Sequence, residues 1–390
     1  PFYRRLWGDL GIEIDSIQTL ADMQRLPVLT KAEVQRAPAD FVSEAVPQRR
    51  RVMIHTSGTT GGGLRFATTL EAIQEQWAIW WRYRRLHGLQ PGTWCGYFGG
   101  RSVVPLSQQR PPFWRYNRPG RQILFSGYHM SPRTLSSYID ELRRRQPPWL
   151  HGYPSLLTLL AGGVLERGVD LGYRPIWITT GAENLLPQQR ALIEQVFGVR
   201  PLEHYGMAEA VANAFECRRG RLHVDEDFAA VEFIPTADGS AWKVIGTNFS
   251  NPATPLVRYD VGDDVQLDPQ GCDCGLPGRV LAGVDGRRED YVILRNGARL
   301  GRMDHVFKDM VRIREAQLVQ REPGRITVRV VRHGGYGPDD ERALRAEFAK
   351  RVGDQAELTI EYVDQLPRTA SGKLRFVVSE LQAGKLSRSA

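Results

Sequence analysis

Cysteine is scarce: Cys95, Cys217, Cys272 and Cys274 are the only four among 390 residues. So thin a supply excludes a disulfide scaffold and sets a reducing, cytoplasmic compartment as the expectation. Long apolar runs are missing too. The richest, 156–165, is broken by Thr158, Gly162 and Gly163 and is shorter than the ~18–20 residues that cross a bilayer. No membrane partner is therefore expected, and no signal peptide is visible in a sequence that begins at Pro1. No G-x-S-x-G elbow occurs, which disfavours a serine hydrolase. There is neither an internal repeat nor a low-complexity segment. The net charge of +8, from 52 basic and 44 acidic residues, comes without a nucleic-acid-binding motif, so nucleic acid is not an expected partner. The basic clusters 49–51, 82–85 and 143–145 are either solvated faces or aids to binding anionic small molecules.

What the sequence does have is a loop that cannot build core. Residues 55–63, HTSGTTGGG, hold four glycines and four hydroxyl side chains. Glycine lets a ligand approach the backbone closely, and converging N–H and hydroxyl groups can cradle an anion. The loop reads as a phosphate cradle or as a flexible surface turn. It is not the GxxxxGK[ST] loop, since Gly62-Gly63-Leu64 stands where the lysine would be.

The length suits two or three packed units. Thr30 reads as a helix cap, and 52–54 as a short buried strand that delivers the glycine loop. Thr68 with Glu71 forms a capping-box pattern opening a helix to about Leu86. On that helix Ile73, Trp77, Trp80 and Trp81 recur at helical spacing and read as core. Residues 101–119 read as irregular. From 131 to 199, helices at 133–145, 154–167 and 187–196 alternate with apolar strands near 149–150 and 176–180, the rhythm of a parallel α/β sheet. In such folds functional loops follow the strands' carboxyl ends, where 179–183 and 204–209 fall. After Glu216 the texture turns to short strands (222–225, 229–234, 242–247, 256–259). Beyond a boundary near Gly286 comes an α+β domain, with strands at 316–320, 325–332 and 357–362 and helices near 303–313 and 338–351. The fold class expected is α/β: an N-terminal domain, 1–286, of parallel-sheet layers with a β-rich part at about 217–286, and a small mobile α+β domain, 287–390.

The glycine loop, Tyr205-Gly206-Met207-Ala208-Glu209, the run 258–263 (RYDVGD), the run 286–290 (GRRED) and the run 367–373 (PRTASGK) stand in a telling order. Together they resemble the adenylate-forming, AMP-producing acyl ligases, in the phenylacetate–coenzyme A ligase and CapK-like branch. The resemblance implies that a carboxylate is joined to the α-phosphate of ATP, pyrophosphate leaves, and the acyl group passes to a thiol or amine. By the same resemblance Thr56, Ser57, Gly58, Thr59, Thr60 and Gly61 would hold phosphates, and Glu209 would help bind Mg2+. Tyr205, followed by Gly206, would stack on adenine against Gly181, Ala182 and Glu183. Asp263 would accept from the ribose hydroxyls, and Arg287 would reach ribose or phosphate. Lys373 would bridge the attacking carboxylate and the α-phosphate, and Asp290 would be the hinge of a domain rotation. The sequence departs from the family in the missing cradle lysine and in 296–302, which lacks the usual Pro-Ser.

Cys217, His223, Cys272 and Cys274 form a Cys-x5-His and Cys-x-Cys set, the donors of a closed structural Zn2+ shell; the alternative is three free thiols and a histidine. The acyl pocket is expected among Tyr97, Phe98, Trp114, Tyr153 and His204, whose aromatic character favours an aromatic acid; His204 could instead orient Tyr205. The function expected is an ATP-dependent ligase making an acyl-adenylate and then a coenzyme A thioester. An amine or carrier-protein acceptor, a non-catalytic nucleotide-binding protein and a homodimer stay open.

Overall fold

A computed structural model describes residues 1–55, 64–99, 101, 103–105, 108–130, 133–237, 239–287, 292–295, 299–300, 303–307, 310, 312–332, 334–367 and 374–381. The chain divides into two compact units, Pro1–Pro91 with His204–Arg287 and Gly92–Glu203 with Arg288–Ala390.

In the first unit, seven described strands form an antiparallel sheet. Their order is Ala229–Pro235, Trp242–Asn248, Tyr259–Leu267, Val280–Arg287, Leu222–Val224, Asn213–Glu216 and His204–Gly206. The expected strand at 256–259 instead begins at Tyr259 and runs to Leu267, because its partners on both sides, Trp242–Asn248 and Val280–Arg287, extend the ladder. Strands Val52–His55 and Arg65–Thr68 pair antiparallel on either side of the glycine loop. The first of them is not wholly buried, since Met53 is exposed.

The Leu70–Leu86 helix follows directly. Its cap is Thr69, whose hydroxyl accepts from Ala72 N at 3.2 Å, so the expected Thr68–Glu71 box does not form; Glu71 pairs with Arg50 at 2.9 Å instead. The aromatic stripe does not face the core as expected. Trp77 is 42% exposed, while Ala72, Tyr83 and Arg84 are buried. The inward face is set by Tyr83, and indoles on neighbouring faces keep their polar edges for hydrogen bonds.

The second unit holds the α/β sheet, in the order Trp114–Asn117, Gln122–Ser126, Cys95–Gly99, Trp149–Gly152 and Trp177–Thr180. The last four are parallel and the first is an antiparallel edge, a strand hidden in the proline-rich stretch expected to be irregular. Between parallel strands lie helices Leu135–Arg145 and Pro154–Glu166. Pro154, at the first position of its helix, starts it where an N–H would be unpaired anyway. That helix is buried from Pro154 to Val164. Gly163 belongs there because a Cβ would strike the Leu135 side chain. Phe98 and Phe125, both fully buried, stack with centroids 4.5 Å apart, and truncating such a ring costs about 3–5 kcal/mol.

The same unit carries a second sheet in the order Glu357–Tyr362, Arg325–Arg332, Ile313–Glu322 and Val377–Ser379. Ile326, Val328 and Val330 alternate inward toward Leu344 and Phe348 of the Pro338–Val352 helix. The helix expected at 303–313 is a 3-10 turn, Met303–Phe307, and Ile313 already belongs to a strand. Hairpin pairing across Gly324 outweighs local helical spacing there.

Candidate functional site

Tyr205 lies in the middle of the short His204–Gly206 strand, at the end of its sheet. Its phenol donates to Asp263 Oδ2 at 2.9 Å. Asp263 pairs in register with Arg287 across the ladder. Three residues that sequence places 24 to 82 positions apart thus meet, Asp263 and Arg287 through antiparallel pairing and Tyr205 through its phenol hydrogen bond. Glu209 contributes its backbone carbonyl to Asn248 Nδ2 at 3.4 Å. Thr56, Ser57, Gly58, Thr59, Thr60, Gly61, Asp290 and Lys373 lie outside the described residues.

In the second unit, Gly181, Ala182 and Glu183 follow the Trp177–Thr180 strand, with Ala182 held at φ 67°. Glu183 divides its carboxylate. Oε2 accepts from Ser155 N at 3.1 Å, at the start of the Pro154–Glu166 helix, and Oε1 accepts from Leu374 N at 3.0 Å. Leu374 is the residue after Lys373. Of the expected pocket residues, Tyr97 lies 5.4 Å from His151 between ring centroids, and Trp114 and Tyr153 pack on the core. Phe98 belongs to the core itself, at 0% exposure.

His204 packs against the Leu70–Leu86 helix, stacked on Tyr83 at 5.3 Å and edge-on to Trp80 at 5.5 Å. Its Nε2 lies 2.6 Å from Asn213 Oδ1. Burial pushes the imidazole down from 6.5 to about 4; the Asn213 hydrogen bond opposes this and the Arg84 guanidinium adds to it. The unfolded chain takes up this proton near pH 6.5 and the folded chain near pH 4, so stability falls as pH drops through that window. The urea midpoint of the wild-type protein should therefore fall more between about pH 7 and pH 4.5 than that of His204→Gln. Equal falls would remove His204 as the cause.

A second cluster is built by two neighbouring strands and one connection. Cys217 follows the Asn213–Glu216 strand, His223 sits in Leu222–Val224, and Cys272 and Cys274 lie in the connection between Tyr259–Leu267 and Val280–Arg287. The four ligand atoms lie within 4.8 Å of one another. Cys217 Sγ and Cys272 Sγ are 3.8 Å apart, far beyond a disulfide bond. It is about the separation of two thiolates held tetrahedrally at ~2.3 Å from one zinc ion. His223 Nδ1 lies 3.0 Å from the carbonyl of Pro277, to which it donates, leaving Nε2, 3.3 Å from Cys274 Sγ, as the free lone pair. That division of the two ring nitrogens is the one a metal-bound histidine needs.

Sequence reasoning missed the polar network around His204: Asn213 and Asp225 went unnoticed, Trp80 read as core and Arg82 as part of a basic cluster. The available signal was Gln76, Trp80 and Tyr83 at i, i+4 and i+7 of one helix, a mixed polar and aromatic face in place of an apolar one.

No helix among the described residues is long and apolar enough to cross a membrane. Residues 294–380 match the family model of the CapK C-terminal domain. Over 377 residues the chain is 27% identical to Protein CapK of Staphylococcus aureus, covering 93% of this chain and 82% of that protein. It is 25% identical over 439 residues to the phenylacetate-coenzyme A ligase of Thermus thermophilus, covering 97% and 92%. Among solved structures, 2-hydroxyisobutyryl-CoA ligase in the postadenylation state with R3-HIB-AMP matches the fold with a TM-score of 0.72, at 18% identity over 99% of this chain and 87% of that one.

Proposed function

We propose that this chain, similar over most of its length to Protein CapK and to phenylacetate-coenzyme A ligase, is an adenylate-forming acyl ligase of that branch, which activates a carboxylic acid with ATP and delivers the acyl group to coenzyme A. A carboxylate oxygen attacks the α-phosphorus, the bond to the bridging oxygen breaks, and pyrophosphate leaves. The coenzyme A thiolate then attacks the acyl carbon and expels AMP, which keeps the oxygen the acid brought. Both reactants of the first step are anions, so catalysis rests on positive charge and positioning.

In this mechanism Thr56 to Gly61 hold the phosphates. Tyr205 stacks on adenine, and Gly181, Ala182 and Glu183 are nucleotide-binding residues of the second unit. Asp263 orients the ribose, Arg287 steadies it, and Lys373 offsets charge at the α-phosphate. Glu209 would hold Mg2+, which supplies charge neutralisation on the phosphates when bound. The segment 287–390 is the mobile domain, with Asp290 its hinge. The acid is aromatic and contacts Tyr97, Trp114 and Tyr153. Cys217, His223, Cys272 and Cys274 hold a structural zinc ion; four protein donors leave it no open position for chemistry. The setting is cytoplasmic.

The observation that carries the proposal is the bond from Leu374 N to Glu183. It ties the residue that follows Lys373 in sequence to the strand end assigned to the nucleotide. A panel of carboxylic acids, assayed for pyrophosphate release with and without coenzyme A, tests it. At least one acid, aromatic among them, should give release that requires the acid and continues to turn over with coenzyme A. Release that coenzyme A does not alter would move the acceptor to an amine or carrier protein. ATP binding without release under any acid would overturn the ligase proposal in favour of a nucleotide-binding protein.

A further inference from the structure

The His204–Gly206 strand is three residues long and has one ladder neighbour, Asn213–Glu216. So short an edge cannot hold an aromatic ring in place by backbone pairing alone. Its side chains supply the rest, and they meet at one atom. Asn213 Oδ1 lies 2.6 Å from His204 Nε2 and 3.2 Å from Trp80 Nε1. An indole N–H only donates, so the Asn213 atom facing Trp80 must be its oxygen. That oxygen cannot donate to His204, so the imidazole hydrogen is on Nε2. Asn213 Nδ2 is turned to Asp225, a buried carboxylate that pairs with Arg82, which also holds Asp227. Every proton in the chain Trp80, His204, Asn213, Asp225, Arg82 is thereby assigned without choice. Trp80 and Arg82 both project from the Leu70–Leu86 helix, whose Gln76 also donates to Met207 O at 2.8 Å. The strand fits tightly on this plate: a Cβ on Gly206 would lie 2.7 Å from Asn213 Oδ1 and 3.0 Å from the His204 ring.

We propose that Asn213 is a positioning residue for the nucleotide site: by accepting from His204 and Trp80 while donating to Asp225, it locks the strand that carries Tyr205 onto the Leu70–Leu86 helix. The inference rests on the ligase proposal for its assignment of Tyr205 to adenine. Asn213 touches no substrate. Its effect is confined to how well Tyr205 is presented, so it governs ATP binding and leaves acid binding alone.

Asn213→Leu keeps the volume and removes all three hydrogen bonds. The KM for ATP in acid-dependent pyrophosphate exchange should rise about tenfold, the effect of one or two hydrogen bonds, while the KM for the acid stays within about twofold. A merely structural role would shift both constants or only thermal stability. In the wild-type protein, nitrogen-15 NMR at neutral pH should find His204 neutral and protonated on Nε2. This measurement stands even where the leucine variant does not fold. His204 protonated on Nδ1, or an unchanged ATP KM in an active Asn213→Leu enzyme, would overturn the positioning role alone. A wild-type protein with no exchange for any acid would overturn the ligase proposal and this role with it.

Discussion

Replacing Lys373 by alanine should abolish acid-dependent ATP–pyrophosphate exchange, by at least about a hundredfold, the usual loss when a group stabilising developing charge is removed. The same variant should still pass a pre-formed acyl-adenylate to coenzyme A at close to the wild-type rate. The asymmetry follows from charge. In the first half-reaction two anions meet at the α-phosphorus, and a lysine between them is worth most in the transition state. In the second, a thiolate attacks an acyl carbon and the leaving AMP is already a stable anion. Glu183 supports the assignment, because it receives the N–H of Leu374 at 3.0 Å while also holding Ser155 at the start of the Pro154–Glu166 helix. Exchange that survives Lys373→Ala intact would remove the lysine from the mechanism. Equal loss of both half-reactions would point to general damage instead.

The second large effect should come from the cysteine cluster. Purified protein should hold about one zinc ion per chain. Chelation, or Cys272→Ser with Cys274→Ser, should lower stability by about 3 kcal/mol or more, a fraction of what structural zinc supplies elsewhere, seen as a fall of about 6–12 °C in Tm. The loss should reach the proposed nucleotide site. Arg218, next to Cys217, donates to Leu86 O at 2.8 and 2.6 Å from Nε and Nη2. His87 Nε2 lies 2.7 Å from Glu216 O. These bonds close the carboxyl end of the helix that backs Tyr205, and Cys217 directly follows the strand that begins at Asn213. Metal-free protein should therefore bind ATP more weakly before it unfolds as a whole. Protein that contains no zinc, and whose Tm ignores chelators, would refute the metal centre.

The parts of the molecule that sequence revealed are those with a strong local signature. The strand at Trp177–Thr180 and the helix at Pro154–Glu166 were legible as an apolar run and as a leucine-rich segment behind a proline. The cysteine and histidine set stood out because those residues are rare in this chain. The edge strand Trp114–Asn117 did not, since three nearby prolines mask it. The helix at 303–313 was misread because spacing within Met303–Phe307 looks helical, while Ile313 onward is held by a partner strand that only the fold supplies. Among the proposed site residues, Tyr205 and Asp263 are singled out by motif order, and the structure joins them by one hydrogen bond. Asn213, Asp225 and Arg82 belong to no motif. They become a unit only when a helix and two strands are packed together, and an asparagine on a buried strand gives no sequence signal of that packing.

The central proposal is that this chain joins an acid to AMP. The most direct measurement uses acid labelled with oxygen-18 in its carboxylate, incubated with ATP, Mg2+ and coenzyme A, followed by mass analysis of the nucleotide product. One labelled oxygen should appear in the phosphate of AMP for each thioester formed. Unlabelled AMP, or ADP in its place, would contradict the proposal.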